Sequence, residues 1–471
     1  MGATLDTIII GAGTAGLAAL REVRKRTDRF LIVNEGPWGT TCARVGCMPS
    51  KALIEAANAF QRRHALREFG IHGAEGLAAD IPAVLQRVRK LRDDFVAGAL
   101  KATEGLGAAS ISGRATLLSP GTVDIDGTVH TARSIIIATG SRPRLPDEWL
   151  AFGDRMLTTD TLFEQPTLGP RIAVIGMGPL GAEIAQALAR LGLQVAAFAT
   201  SDKLGGLTDD AINADLLALL KKEMVLHVGE PAQLREVPGG IEVSSGINRV
   251  VVDHVIAAMG RVPNIDAMGL ETLGVPLDEH GLPQIDRQTM QVGDLRVFMA
   301  GDVDTHAPLL HEAADDGHIA GMNALAEAPT PFQRRTPLSI VFTDPQIAVV
   351  GPKRADMDPA TTIVGTVRFD NQGRAVAAQR NQGRLCVYAH RATGKLLGAE
   401  MCAPEGEHLA HLLALAVQQQ LTVHDVLGMP IYHPVLEEGL RSALRDAARQ
   451  LDVERASDLA TCEAIGVAAL E

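Results

Sequence analysis

The sequence predicts an α/β protein: two Rossmann-like dinucleotide-binding domains, then a C-terminal α+β domain. Three observations predict it. Two glycine fingerprints each sit between a β-branched run and an apolar helical pattern. They stand 165 residues apart. From Leu338 the texture changes to runs that read as antiparallel strands, SIVFTDPQIAVVG, RLCVYAH and KLLGAEMC, with helical patterns from Glu407. A length of 471 residues suits about three domains at roughly 150 residues each. The expected division is 1–150 and 271–335 for the first domain, 151–270 for the second and 336–471 for the third.

The first element is a strand over Thr7–Ile10, followed at once by GAGTAG, an amphipathic helix and a second strand over Phe30–Val33. Gly11 permits the tight turn, Gly13 lets backbone N–H groups approach a pyrophosphate, and Gly16 lets the helix pack on the strand. The helix N-terminus then faces the anion. Glu35 follows the second strand, where an acid would hold ribose hydroxyls. The segment RIAVIGMGPLGAEIAQALARLGLQVAAFATSDK repeats this grammar with Gly176, Gly178 and Gly181. Two dinucleotide sites in one chain suggest an enzyme that passes electrons between two nucleotides.

Between the fingerprints, Pro49 to about Leu106 reads as helical. SIIIATGSRP and HVIAAMGRVPN, ending their strands near Gly140 and Gly260, read as chain crossings between the two domains. LRVFMAGDVD is a strand ending at Gly301 and Asp302.

Composition narrows the function classes. The chain is 46% hydrophobic and 21% charged, so it can bury large cores. Its net charge of −12 repels phosphate backbones, and it has only 11 Phe, 2 Trp and 2 Tyr for base stacking. A nucleic-acid partner is not expected. No apolar run approaches the ~18 residues of a membrane span, and the N-terminus lacks a basic region before a long apolar core. A cytoplasmic protein is expected, with no membrane partner. Five cysteines are too few for a secreted disulfide scaffold.

Two of those cysteines, Cys42 and Cys47, lie in GTTCARVGCMPSKALIEAANAF. A regular helix would separate them by ~7.5 Å along its axis, but a distorted turn at Gly46 brings them together. Redox chemistry is the leading reading, against inert thiols. A metal site would want further ligands at short spacing, and Cys386, Cys402 and Cys462 are scattered.

At this point the chain resembles a known family. GTTCARVGCMPSK is similar to the redox-active disulfide of the pyridine nucleotide–disulfide oxidoreductases. The resemblance extends over both fingerprints, ATGSRP, GRVPN, AGD and the final HPVLEE. It implies FAD on the first fingerprint, with Thr41, Lys51, Thr139, Gly140 and Asp302 also at that cofactor. It implies a pyridine nucleotide on the second, with Gly260. Cys47 would lie against the flavin, and Cys42 would exchange with substrate. Lys51 would sit near the flavin and pair with Glu183. His433 would be the acid–base, oriented by Glu438 five residues on, with Glu437 the rival partner. An imidazole suits this because it takes up and returns protons near neutrality. The resemblance also implies a homodimer, in which His433 reaches the cysteines of the other subunit. The expected reaction oxidises dihydrolipoamide, free or on the lipoyl domain of an acyltransferase complex. A reductase of another disulfide or a quinone, and a flavoprotein subunit or redox sensor with little turnover, stay open.

Some positions depart from the family pattern. Arg44 replaces the usual Asn between the cysteines, and is read either as a cation that lowers a thiol pKa or as a solvated side chain. Gln346 stands where many relatives carry Glu. The second fingerprint's strand ends at Ala199, not at the acid that would repel a 2′-phosphate, and Thr200, Ser201 and Lys203 follow. NAD is expected, and nothing in this segment excludes NADP. The last ~20 residues, with Cys462, match no pattern.

Overall fold

A computed structural model describes residues 4–452. Cys462 lies outside the described residues. Three sheets organise the chain. In the first, parallel strands run in the order Ser110–Ser112, Phe30–Asn34, Leu5–Ile10, Thr128–Ile137, Val297–Met299. Ile8, Ile9, Ile32, Ile135, Ile136 and Phe298 in these strands are all buried. Burial on both faces is why the strands read as continuous β-branched runs and not as alternating ones. The helices Thr14–Val23 and Leu310–Ala324 pack together on one face.

The second sheet is also parallel, in the order Val225–Val228, Gln194–Ala199, Arg171–Ile175, His254–Ala257, Met156–Leu157. The third has five antiparallel strands, Leu338–Val341, Gln346–Val350, Leu396–Ala403, Arg384–His390 and Thr362–Arg368 in spatial order. The helices Gly406–Gln418 and Glu437–Ala448 cover it.

The two chain crossings meet. Ser141–Pro143 pairs antiparallel with Arg261–Pro263, a two-stranded ribbon between the parallel sheets. Asn264 N–H donates to Gly140 O at 3.0 Å, and its side chain donates to Thr139 O at 2.9 Å.

One expectation needs correction. The stretch from Pro49 to Leu106 is not one helical run. The Cys47–Gln61 helix is followed by a short helical turn, Arg63–Leu66, then by irregular chain, and Ile81–Leu100 starts afresh with the Asp80 side chain accepting from Ala83 N–H. Beyond that turn, Gly70 and Gly73 take φ of +77° and +93°, left-handed values that keep the chain from running on as helix toward Asp80.

Candidate functional site

The first fingerprint forms a backbone cradle. Gly11 has φ +105°, and a Cβ there would fall 2.2 Å from Ala138 O. A Cβ on Gly16 would fall 1.9 Å from Gly11 O, so helix and strand approach as closely as backbones can. Gly13 has open space beside it. Gly176, Gly181 and Gly178 repeat these three situations in turn, with 2.3 Å to Ala258 O, 1.8 Å to Gly176 O, and open space. Gly16 and Gly181 thus act beneath the clefts, not on their walls.

Two clefts adjoin the first cradle at the C-terminal ends of its strands. One, of about 390 Å³, is lined by Gly11, Asn34, Glu35, Arg114 and Thr139. The other, of about 250 Å³, holds Gly13, Thr41, Cys42, Cys47, Lys51, Gly140, Glu183 and Asp302. These residues fit FAD. The cradle leaves open space at Gly13, and the buried Thr139 hydroxyl on the wall has no hydrogen-bond partner. A third cleft of about 370 Å³ carries Gly176, Gly178, Ala199, Thr200, Lys203 and Gly260, and suits the second dinucleotide. A fourth, largely apolar, of about 570 Å³, lies beside Gly178, Gly260, Arg261 and Leu309.

The cysteines meet as the Gly46 distortion predicts. Thr41–Arg44 is one helical turn, capped by the Thr40 hydroxyl. The chain breaks at Val45 and Gly46, and Cys47 opens a fifteen-residue helix. A Cβ on Gly46 would press to 3.1 Å from Thr41 O. Both cysteines are free thiols, hydrogen-bonded to one another. That bond lowers the Cys47 thiol to about 7, against its burial and with help from the Lys51 charge. The same bond, then burial, holds Cys42 well above the ordinary thiol range. The pair therefore gives up one proton easily and keeps the other. Cys47 is surrounded by protein yet open to water, as a group on a cleft floor is.

Lys51 lies one turn along the same helix. Its Nζ donates to Glu183 Oε1 at 2.9 Å and Oε2 at 2.8 Å. Glu183 is only 3% exposed and comes from the Pro179–Arg190 helix of the second fingerprint. Phe342 holds both partners: its N–H donates to Glu183 Oε1 at 2.8 Å, and its ring lies 4.6 Å below the ammonium. Arg44 is not the cation beside the thiols. Its guanidinium turns to Pro37 O at 3.4 Å, and Lys51 takes that place.

Asp302 is held by groups that sequence reasoning passed over. Arg261 Nε donates to Ser141 Oγ at 2.7 Å, and Ser141 Oγ donates to Asp302 Oδ2 at 2.9 Å. Each follows a glycine of a crossing motif, and the pairing of the two crossings brings them together. Asn34 was also missed; its Oδ1 accepts from Ala12 N–H at 3.0 Å and fixes the fingerprint turn. Gln346 caps another helix, its Oε1 accepting from Glu407 N–H at 2.8 Å.

His433 stands apart from this centre, exposed, and does not line the cysteine cleft of its own chain. Its Nδ1 meets Glu438 Oε1 at 3.0 Å. Glu438 is 2% exposed and also accepts from Val435 N–H at 3.1 Å and Arg441 at 3.1 Å. Its orientation is thus fixed from three sides. The expected partner is the observed one; Glu437 is not in contact.

Two dinucleotide cradles flanking a thiol pair define a class, and comparison with known families gives it a name. The profile described as pyridine nucleotide-disulphide oxidoreductase matches residues 5–317, and that family's dimerisation domain matches residues 338–444. The chain belongs to the pyridine nucleotide-disulphide oxidoreductases.

Among relatives, the dihydrolipoyl dehydrogenase of Haloferax volcanii is 31% identical, covering 94% of this chain and 96% of its own. That of Chlamydia pneumoniae is 28% identical over 92% and 95%. The crystal structure of LpdA from Mycobacterium tuberculosis superposes with a TM-score of 0.80 at 26% identity, covering 94% and 99%. The flavoprotein disulfide reductase RclA of Escherichia coli shares the fold, with a TM-score of 0.79 at 19% identity. The chain is an FAD- and NAD(P)-dependent disulfide oxidoreductase similar to the dihydrolipoyl dehydrogenases. The dimerisation-domain match supports a homodimer. Among the described residues, no helix is long and apolar enough to cross a membrane.

Proposed function

We propose that this enzyme oxidises dihydrolipoamide, free or carried on the lipoyl domain of an acyltransferase complex, and reduces NAD⁺ in the cytoplasm. One observation carries the reading: two thiols in contact at a helix N-terminus share a cleft with the Lys51–Glu183 ion pair and with Asp302. Residues 1–150 and 271–335 would form the FAD unit, 151–270 the pyridine-nucleotide unit and 336–471 the pairing unit.

Gly11, Gly13, Gly16, Glu35, Thr41, Thr139, Gly140 and Asp302 would hold FAD. Gly176, Gly178, Gly181 and Gly260 would hold the second nucleotide. When bound, FAD supplies two-electron transfer to the nicotinamide. The chain's own part is thiol–disulfide exchange. A substrate thiolate attacks Cys42 of the Cys42–Cys47 disulfide, forming a mixed disulfide and releasing Cys47 as thiolate. The second substrate thiolate attacks the substrate sulfur of that bond, closing the substrate disulfide and releasing Cys42. His433 of the second subunit takes the two substrate protons in turn, passing one to solvent and returning the other to Cys42. Glu438 fixes the imidazole tautomer through Nδ1, which leaves Nε2 to move the proton. Cys47 is the better leaving thiolate because Lys51 and its helix N-terminus favour its charge.

Lipoamide turnover by the yellow holoenzyme, assayed with both nicotinamides, tests this. Cys42→Ser should abolish turnover while FAD stays bound. His433→Gln should lower turnover ~10²–10⁴-fold. A coloured enzyme that reduces another disulfide or a quinone, but not lipoamide, would overturn the substrate assignment.

A further inference from the structure

Glu400 is fully buried in the strand Leu396–Ala403 of the third sheet, and its carboxylate forms no ion pair among the described residues. A buried carboxylate without a counter-ion is costly unless donors surround it. Here they do, and most come from another part of the fold. Oε2 accepts from Thr208 N–H at 2.8 Å and from Asp209 N–H at 2.9 Å. Oε1 accepts from the Thr208 hydroxyl, and from Arg354 N–H at 2.9 Å. Thr208 and Asp209 lead into the helix Asp210–Glu223, of which Asp209 is the N-cap. The carboxylate thus also faces the positive end of a helix.

The segment so gripped is the far end of a loop whose start, Thr200, Ser201 and Lys203, lines the third cleft. Residues 200–209 follow the strand that ends at Ala199, and Lys203 lines the cleft. The loop is tied at its other end too. Gly205 N–H donates to Met177 O at 2.9 Å, beside the second fingerprint, and Leu204 N–H donates to Asn213 Oδ1 at 2.9 Å. With no acid at Ala199 to hold ribose hydroxyls, the placement of this loop decides what the nucleotide's ribose meets.

We infer that Glu400 is a positioning residue for pyridine-nucleotide binding: from the dimerisation domain, it sets the loop against which the adenosine ribose packs. This rests on the third cleft being the pyridine-nucleotide site. Removing the negative charge turns an amide N–H₂ toward backbone donors, the loop shifts, and ribose affinity falls while the flavin cradle stays intact.

The test is calorimetric titration of the FAD-loaded dimer with ADP-ribose, for wild type, Glu400→Gln and Thr208→Val. Thr208→Val removes one donor, leaves the charge in place, and serves if Glu400→Gln fails to fold. ADP-ribose affinity should fall about tenfold in Glu400→Gln and less in Thr208→Val, within the range for coupled sites. KM for the nicotinamide dinucleotide should rise in step, with kcat within about twofold and FAD content unchanged. Lower melting temperatures with unchanged ADP-ribose affinity would show a merely structural tie and overturn the inference. Failure of wild type to bind ADP-ribose would overturn the cleft assignment itself.

Discussion

The two nucleotide cradles are built alike and finished differently. In each, the first glycine takes a left-handed φ against the backbone of a neighbouring strand end, the second stands open, and the third meets the carbonyl of the first. At the ends of their second strands the likeness stops. The first cradle has Asn34 pinning the turn and Glu35 on the cleft wall. The second has Ala199, then a loop held from the third sheet. The backbone thus supplies a generic dinucleotide seat, while the neighbouring side chains decide which ribose is read and how tightly.

The sharpest way to break the comparison is to disable one cradle at a time. Gly11→Ala should yield colourless protein without FAD, because its Cβ would collide with Ala138 O at a φ that L-residues avoid. Gly176→Ala meets the same obstacle at Ala258 O, yet should keep its flavin and lose ADP-ribose binding. Absorbance and calorimetry read the two losses separately; loss of both ligands in both variants would mean that the seats are not independent.

Next in size is Ala199→Glu, which copies the acid of the first cradle into the second. The ratio of kcat/KM for NADH over NADPH should rise ~10–100-fold through repulsion of the 2′-phosphate. Glu35→Gln, the reverse experiment, should weaken FAD binding about tenfold, the value of about 1.4 kcal/mol for one charge-assisted hydrogen bond.

The smallest effect concerns the pair that bridges the two cradles. The wild-type rate of Cys47 alkylation should rise with pH and reach half its maximum near 7. Lys51→Met removes a charge that favours the thiolate, so the midpoint should move to higher pH, by about one unit. Mass spectrometry would separate Cys47 from Cys42. A midpoint that stays in place would show that the thiol contact alone sets the reactivity.

What was legible in the sequence is what is local along the chain. A glycine fingerprint, or two cysteines flanking Gly46, carries its geometry within a dozen residues. The interruption before Asp80 was equally local, at Gly70 and Gly73, but it was masked by an apolar pattern on both sides. Distant pairings were legible only through resemblance: Lys51 with Glu183 spans 132 positions. Ser141, Arg261 and Phe342 gave no signal, because their roles arise from a ribbon and a loop that meet only in the folded chain. Arg44, read either as a cation at the thiols or as a solvated side chain, turns to Pro37 O: nearness in sequence is not nearness in space.

The ribbon formed by Ser141–Pro143 and Arg261–Pro263 has a genealogical consequence. Arg144 N–H donates to Gly260 O at 2.9 Å, so the excursion between them departs and returns at one doorway. The second cradle is therefore a closed cassette, spliced into a connection of the first without cutting any strand of its host. A duplicate arriving there would leave the host strands whole, and could be exchanged for another of different nucleotide taste so long as the newcomer kept an acid for Lys51 where Glu183 stands.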